Sequence, residues 1–194
     1  MTSTKNPETI GGNILSANPK YDLSSILAAA ECTLHIASKD GDREICLSEE
    51  FFTDFGKTAL RPEEILLAID IPHSKPWEFV SAFRQAQRRE FAFSIVNAGM
   101  RVAFRHDSNV VEHLDIFYGG VGCTLVKARH TCKELIGRKW DEKLLAEGTQ
   151  LLEEEISVPA TVPGGREEYR KALVLSFFFK FYMQVLLELQ QRVQ

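Results

Sequence analysis

Apolar and polar residues alternate first in two short runs, TLHIAS at 33–38 and REICL at 43–47, with Lys39-Asp40-Gly41-Asp42 between them. A period of two around a turn-forming cluster predicts a β-hairpin. The stretch RPEEILLAIDIP at 61–72 repeats that period, with Ile65, Leu67, Ile69 and Ile71 on one face and Leu66 and Ala68 on the other. Leu66 therefore stands off the main apolar stripe. Three further β-like runs follow: EFVSAFRQAQ at 78–87; IVNAGMRVAF at 95–104, where Val96, Ala98, Met100, Val102 and Phe104 alternate; and HLDIFYGG at 113–120. His106-Asp107-Ser108-Asn109 joins the last two as a hairpin.

The period then lengthens. VKARHTCKELIG, closed by Gly137, DEKLLAEGTQLLEEEI, started by Asp141, and the segment after VPGG read as helices. Near the front, Asp22 is placed to cap a helix through LSSILAAAEC, and Ser48 a single turn carrying Glu49 and Glu50. The prolines of PHSKPW at 72–77 mark a subdomain boundary. The chain divides into residues 1–76, of mixed short elements, and 77–194, a three-stranded antiparallel sheet followed by helices; the fold class is α+β.

ALVLSFFFKFYMQVLL at 172–187 is the one stretch that raises a membrane. It is shorter than the ~20 residues a span requires. Ser176, Lys180, Gln184 and Glu188 also recur every fourth position, so a polar stripe runs along a core helix. No membrane partner is expected.

Composition narrows the function classes. The 194 residues are 44% hydrophobic, enough for a real core, and carry a formal charge of −4. That balance offers no cationic excess for a nucleic-acid backbone. Cys32, Cys46, Cys123 and Cys132 are scattered without metal-ligand spacing and read as free thiols. The opening MTSTKNPETI lacks the apolar run of a secretion signal, so the cytoplasm is expected.

Candidate chemistry is concentrated in two places. Gly11 and Gly12 permit a loop whose amides converge on an anion, with Thr9 and Asn13 adding a hydroxyl and an amide and Asp22 an acceptor for ribose or ring groups. Such a site suits a dinucleotide pyrophosphate, although Gly-Gly pairs also serve ordinary turns. RQAQRRE, with Arg84, Arg88 and Arg89, is either a solvated strand end or a cationic rim for an anionic cofactor. The five histidines are dispersed, and neither a metal site nor a catalytic triad follows.

Taken together, TIGGNI at 9–14 with Asp22, LRPEEILLAIDIP at 60–72, EFVSAFRQAQRRE at 78–90, IVNAGMRV at 95–102, YGGVG at 118–122, ELIGRKW at 134–140, and PGG and SFFFKFY between 163 and 182 resemble the FAD module of the xanthine dehydrogenase and aldehyde oxidase family. The resemblance covers nearly the whole chain from Thr9. It implies part of a PCMH-type FAD-binding subdomain followed by a domain like the C-terminal one of CO dehydrogenase flavoproteins. It also implies FAD contacts at Thr9, Gly11, Gly12, Asn13, Asp22 and Leu66, with Arg84 approaching the flavin.

In that family two 2Fe-2S clusters and a molybdopterin domain accompany the FAD module, and the full-length enzymes are homodimers. Xanthine dehydrogenases place an acidic pair where this chain has Phe91 and Ala92, so the resemblance is closer to aldehyde oxidases, which pass electrons to dioxygen. Asn13 departs from the His common there. The 194 residues resemble the later part of the module, so alone they are expected to bind FAD weakly or not at all and to lack hydroxylase activity. Other readings are a xanthine dehydrogenase segment using NAD, an autonomous electron-transfer subunit, and a truncated interaction module without redox chemistry.

Overall fold

The structure is a computed structural model that describes residues 9–88, 92–162 and 164–192. Two short helices, α1 (Ile10–Leu15) and α2 (Leu23–Ala29), precede the hairpin β1 (Thr33–Ser38) and β2 (Gly41–Cys46), a 3-10 turn at Glu49–Phe51, and β3 (Ile65–Asp70). Next come β4 (Glu78–Ala86), β5 (Ser94–Phe104), β6 (Val111–Gly119) and the two-residue β7 (Val126–Lys127). The helices α3 (Arg129–Leu135), α4 (Glu142–Glu155) and α5 (Glu167–Arg192) complete the chain. One sheet has the order β2-β1-β3 and the other β4-β5-β6-β7, with antiparallel pairings throughout.

The α+β class is as expected, with one strand more than the sequence pattern revealed. Val126 and Lys127, read as the start of a helix, pair with Tyr118 and Phe117 instead. Helix α3 accordingly begins at Arg129.

The even-numbered residues of β5, from Val96 to Phe104, enter a large core with Trp140, Phe178, Phe181 and Tyr182. Its odd positions face the N-terminal elements. Asn97 donates to the Pro19 carbonyl at 3.0 Å, and a Cβ on Gly99 would lie 2.2 Å from the Ser25 carbonyl oxygen. Arg101 pairs with Glu31 at 2.7 Å. Only glycine at 99 lets α2 come this close.

A second core gathers Ile14, Leu27, Leu34, Ile36, Phe51 and Phe52, and it includes Phe117 and Leu125 from the far side of the residue-76 boundary. Helix α5 is long and apolar enough to cross a membrane by length and composition. One apolar face is spent on packing, with Val174, Phe177, Phe178, Phe181, Tyr182 and Val185 buried, while Phe179, Met183 and Leu187 stay exposed.

Strand β3 departs from the simple alternation. His35 faces Ala68 while Ile36 faces Leu66, which places a bulge at Leu67. Leu66 and Ile69 consequently pack on the second core, whereas Ile65 and Leu67 are 62% and 67% exposed. The expected stripe of Ile65, Leu67, Ile69 and Ile71 is broken because the extra residue resets the faces.

Candidate functional site

The GGN segment is a helix, not a loop. Thr9 caps α1 by accepting the Gly12 amide at 3.0 Å, and the Asn13 amide donates to the Thr9 carbonyl at 2.9 Å. An anion cradle of converging glycine amides is thus replaced by a single turn whose Gly12 N–H is already taken. Ile14, fully buried, anchors that turn in the second core.

Gly11 meets Leu66: a Cβ at 11 would sit 3.9 Å from Leu66 Cδ2. Asn13 is 6% exposed, and its Oδ1 has no hydrogen-bond partner among the described residues. A buried, unanswered amide oxygen costs roughly 1–3 kcal/mol, so it calls for a hydrogen-bond donor, N–H or O–H. FAD carries donors of both kinds, on its rings and on its hydroxyl-bearing chain, and Leu66 against Gly11 offers an apolar wall. In these respects the residues present fit the cofactor.

Asp22 and Arg84 make a second cluster among the sequence-predicted residues. Arg84 Nε lies 2.6 Å from Asp22 Oδ2, and its Nη2 donates to the Ala92 carbonyl. Asp22 stands at the N-cap position of α2 but makes no side-chain cap, contrary to the sequence expectation. Its carboxylate is turned to Arg84 instead. Burial raises the Asp22 pKa above its ordinary value, opposed by the Arg84 charge and by a hydrogen bond from Ser94.

Among the sequence-predicted residues, the structure therefore brings Thr9, Gly11, Gly12 and Asn13 onto one turn with Leu66 beside it. Asp22 and Arg84 meet as an ion pair. Arg88 lines a neighbouring cavity with Lys20. Arg89 and Phe91 lie outside the described residues; Ala92 is present as the acceptor for Arg84.

Sequence reasoning missed Ser94 and Asn97. Ser94 Oγ donates to the Lys20 carbonyl at 2.6 Å, and Asn97 Nδ2 donates to Ser94 Oγ at 2.9 Å and to the Pro19 carbonyl. Together they hold the segment leading to Asp22. The signal was available, since Asn97 is an amide between apolar neighbours in a largely apolar strand. No group of three or more potential metal ligands occurs among the described residues.

Residues 81–185 match the CO dehydrogenase flavoprotein C-terminal domain, and the chain belongs to that family. Residues 2–74 match the FAD binding domain in molybdopterin dehydrogenase. Aldehyde oxidase 1 of Cavia porcellus is 49% identical and that of Bos taurus 47% identical, each over 181 residues. Each of those alignments takes in 93% of this chain and 14% of the relative; the chain spans about a seventh of the curated relatives it matches.

Among solved structures, the carbon monoxide dehydrogenase from Hydrogenophaga pseudoflava superposes with a TM-score of 0.78 at 19% identity, covering 88% of this chain and 57% of that one. Quinoline 2-oxidoreductase from Pseudomonas putida 86 superposes at 0.75 and 21% identity, covering 91% and 60%. At these identities the superpositions establish the fold.

Proposed function

We propose that this chain supplies flavin contacts within a molybdenum hydroxylase of the aldehyde oxidase type. In that reading it is an electron-transfer segment that carries electrons from iron–sulfur clusters to dioxygen and is inactive as a hydroxylase on its own. The division at residue 76, a cytoplasmic location and dimerisation at full length belong to the same proposal. Identities of 45–49% to aldehyde oxidases support the branch. Four free cysteines, two of them buried, suit a reducing compartment.

The observation that carries the proposal is the buried, unpartnered Asn13 Oδ1 beside Gly11 and Leu66. When bound, FAD would supply a carrier that takes electrons one at a time and passes them on to an acceptor. Asn13 Oδ1 would accept a hydrogen bond from the cofactor, and Leu66 with Gly11 would keep water off one side. Asp22 and Arg84 would meet a polar group of the cofactor as a pair of zero net charge, so its approach to either costs the pair its partner unless new hydrogen bonds replace it.

Titration of FAD into the 194-residue protein, followed by flavin fluorescence, tests this. Saturable binding with a Kd weaker than about 1 μM is expected, since part of the module's contacts lie in other residues of the relatives. Asn13→Leu and Asp22→Ala should each weaken it about tenfold, the worth of one hydrogen bond to a buried or charged group. Stoichiometric yellow cofactor surviving purification would contradict weak binding; unchanged affinity in both variants would contradict the site.

A further inference from the structure

A cavity of about 370 Å³ opens beside the start of β5, lined in part by Lys20, Arg88, Phe93, Gly164, Arg166 and Arg170. Its walls come from three separate stretches of chain, and no carboxylate is among its described lining residues. Lys20 and Arg166 form no ion pair among the described residues, while the nearby Asp22 is engaged by Arg84. Arg170 is 2% exposed. Its Nε donates to the Gly165 carbonyl at 2.8 Å, and its Nη1 to the carbonyls of Ile95, at 2.5 Å, and Gly120.

Gly164 lets the cations converge. With φ of +93°, it has a backbone that L side chains rarely adopt, and a Cβ there would lie 3.4 Å from Arg170 Nη2 and 3.8 Å from Lys20 Nζ. Burial, and then the Arg166 charge, push the Arg170 pKa down. Positive charge is therefore under strain at the floor of this cavity, and a bound anion relieves it. Phe93, 59% exposed, forms an aromatic side wall steadied by Tyr21, whose ring centroid is 5.4 Å away.

We propose that this cavity is a binding site for a dianionic phosphate group, held by Lys20 and Arg166 above the buried Arg170. Guanidinium forks and ammonium groups converging without a competing carboxylate select multivalent oxyanions. The phosphate is either free or borne by a small aromatic phosphate monoester whose ring rests on Phe93. The site adjoins the Asp22–Arg84 pair through Ala92 and Ser94, but it uses other cations and does not depend on the flavin reading.

Calorimetric titration of the full chain with inorganic phosphate, and separately with phenyl phosphate, tests it. Saturable binding tighter than about 1 mM is expected, weakened at least tenfold in the Lys20→Gln/Arg166→Asn double variant. Asn is chosen because Arg166 has φ of +66° and Asn tolerates that region. Phenyl phosphate binding at least tenfold tighter than phosphate, with the gain lost in Phe93→Ala, would assign an organic source; equal affinities would assign free phosphate.

A thermal melt distinguishes misfolding from lost binding. Phosphate should raise the midpoint of the wild-type chain and leave that of the double variant where it is. Absence of saturable binding, or equal affinity in the double variant, overturns the proposal, as does displacement of phosphate by FAD. The FAD titration of the double variant should match wild type, so the two readings can fail independently.

Discussion

Glu64 illustrates how far single side chains are determined by their donors. It accepts from Arg43 Nε at 2.7 Å, Arg43 Nη2 at 2.9 Å and the Arg61 amide at 2.7 Å. These bonds, with the Arg43 bond foremost, hold its pKa at about 2 against an ordinary 4.5. A folded pKa below the unfolded one means that the stabilisation is complete above about pH 4.5 and fades as pH falls through about 2. Glu64→Gln should therefore melt earlier than wild type at pH 7, and the two melting points should converge near pH 2. A gap independent of pH, read by circular dichroism, would rule this out. At this scale residue type marked Asp22 as a cap and Arg84 as a cation but did not reveal that they bond each other. Their pairing depends on where α2 settles against β4, which no local pattern encodes.

At the scale of elements, legibility followed the strength of local signals. Helix α4 was readable because Asp141 caps it, accepting from the Lys143 and Leu144 amides at 3.1 and 3.0 Å. Helix α1 was not, because two glycines in six residues disfavour a helix by about 1 kcal/mol each relative to alanine. Burial of Ile14 and the Thr9 cap overrode that preference. The β3 bulge was equally hidden: alternation assumes a constant register, and the register breaks opposite His35 and Ile36. The β5–α2 contact carries the sharpest prediction at this level. Gly99→Ala drives a methyl into the Ser25 carbonyl and should cost about 1–3 kcal/mol, the range for overpacking. Chemical denaturation should show it as a lower midpoint; an unchanged midpoint would mean that α2 is not seated on β5.

Over the whole molecule, the two halves recognised in the sequence share structure. Phe117 and Leu125 enter the N-terminal core. Arg101, nearly buried, joins Glu31 at 2.7 Å, Glu78 at 2.8 Å and Asp115 at 2.7 Å, while Lys127 holds the other Asp115 oxygen at 2.7 Å. Removing Arg101 leaves the largely buried Glu78 side chain without its counter-charge and Asp115 with Lys127 alone, so Arg101→Leu should cost about 3 kcal/mol or more. Unfolding should remain a single transition in calorimetry, since α2 and β5 cannot separate without exposing both cores. Two resolved transitions in the wild-type chain would show that the halves fold apart. The sequence pattern divides the chain at Pro76 because prolines punctuate it there; the shared packing across that point was invisible because its members are far apart in the chain.

Mapping FAD-induced amide shifts on the isotopically labelled chain tests the central claim most directly. The perturbed residues should be Gly11, Gly12, Asn13, Leu66, Asp22 and Arg84. Shifts confined to the cavity of about 800 Å³ lined by Trp77, Lys139 and Leu189, with the α1 turn and Leu66 silent, would contradict it.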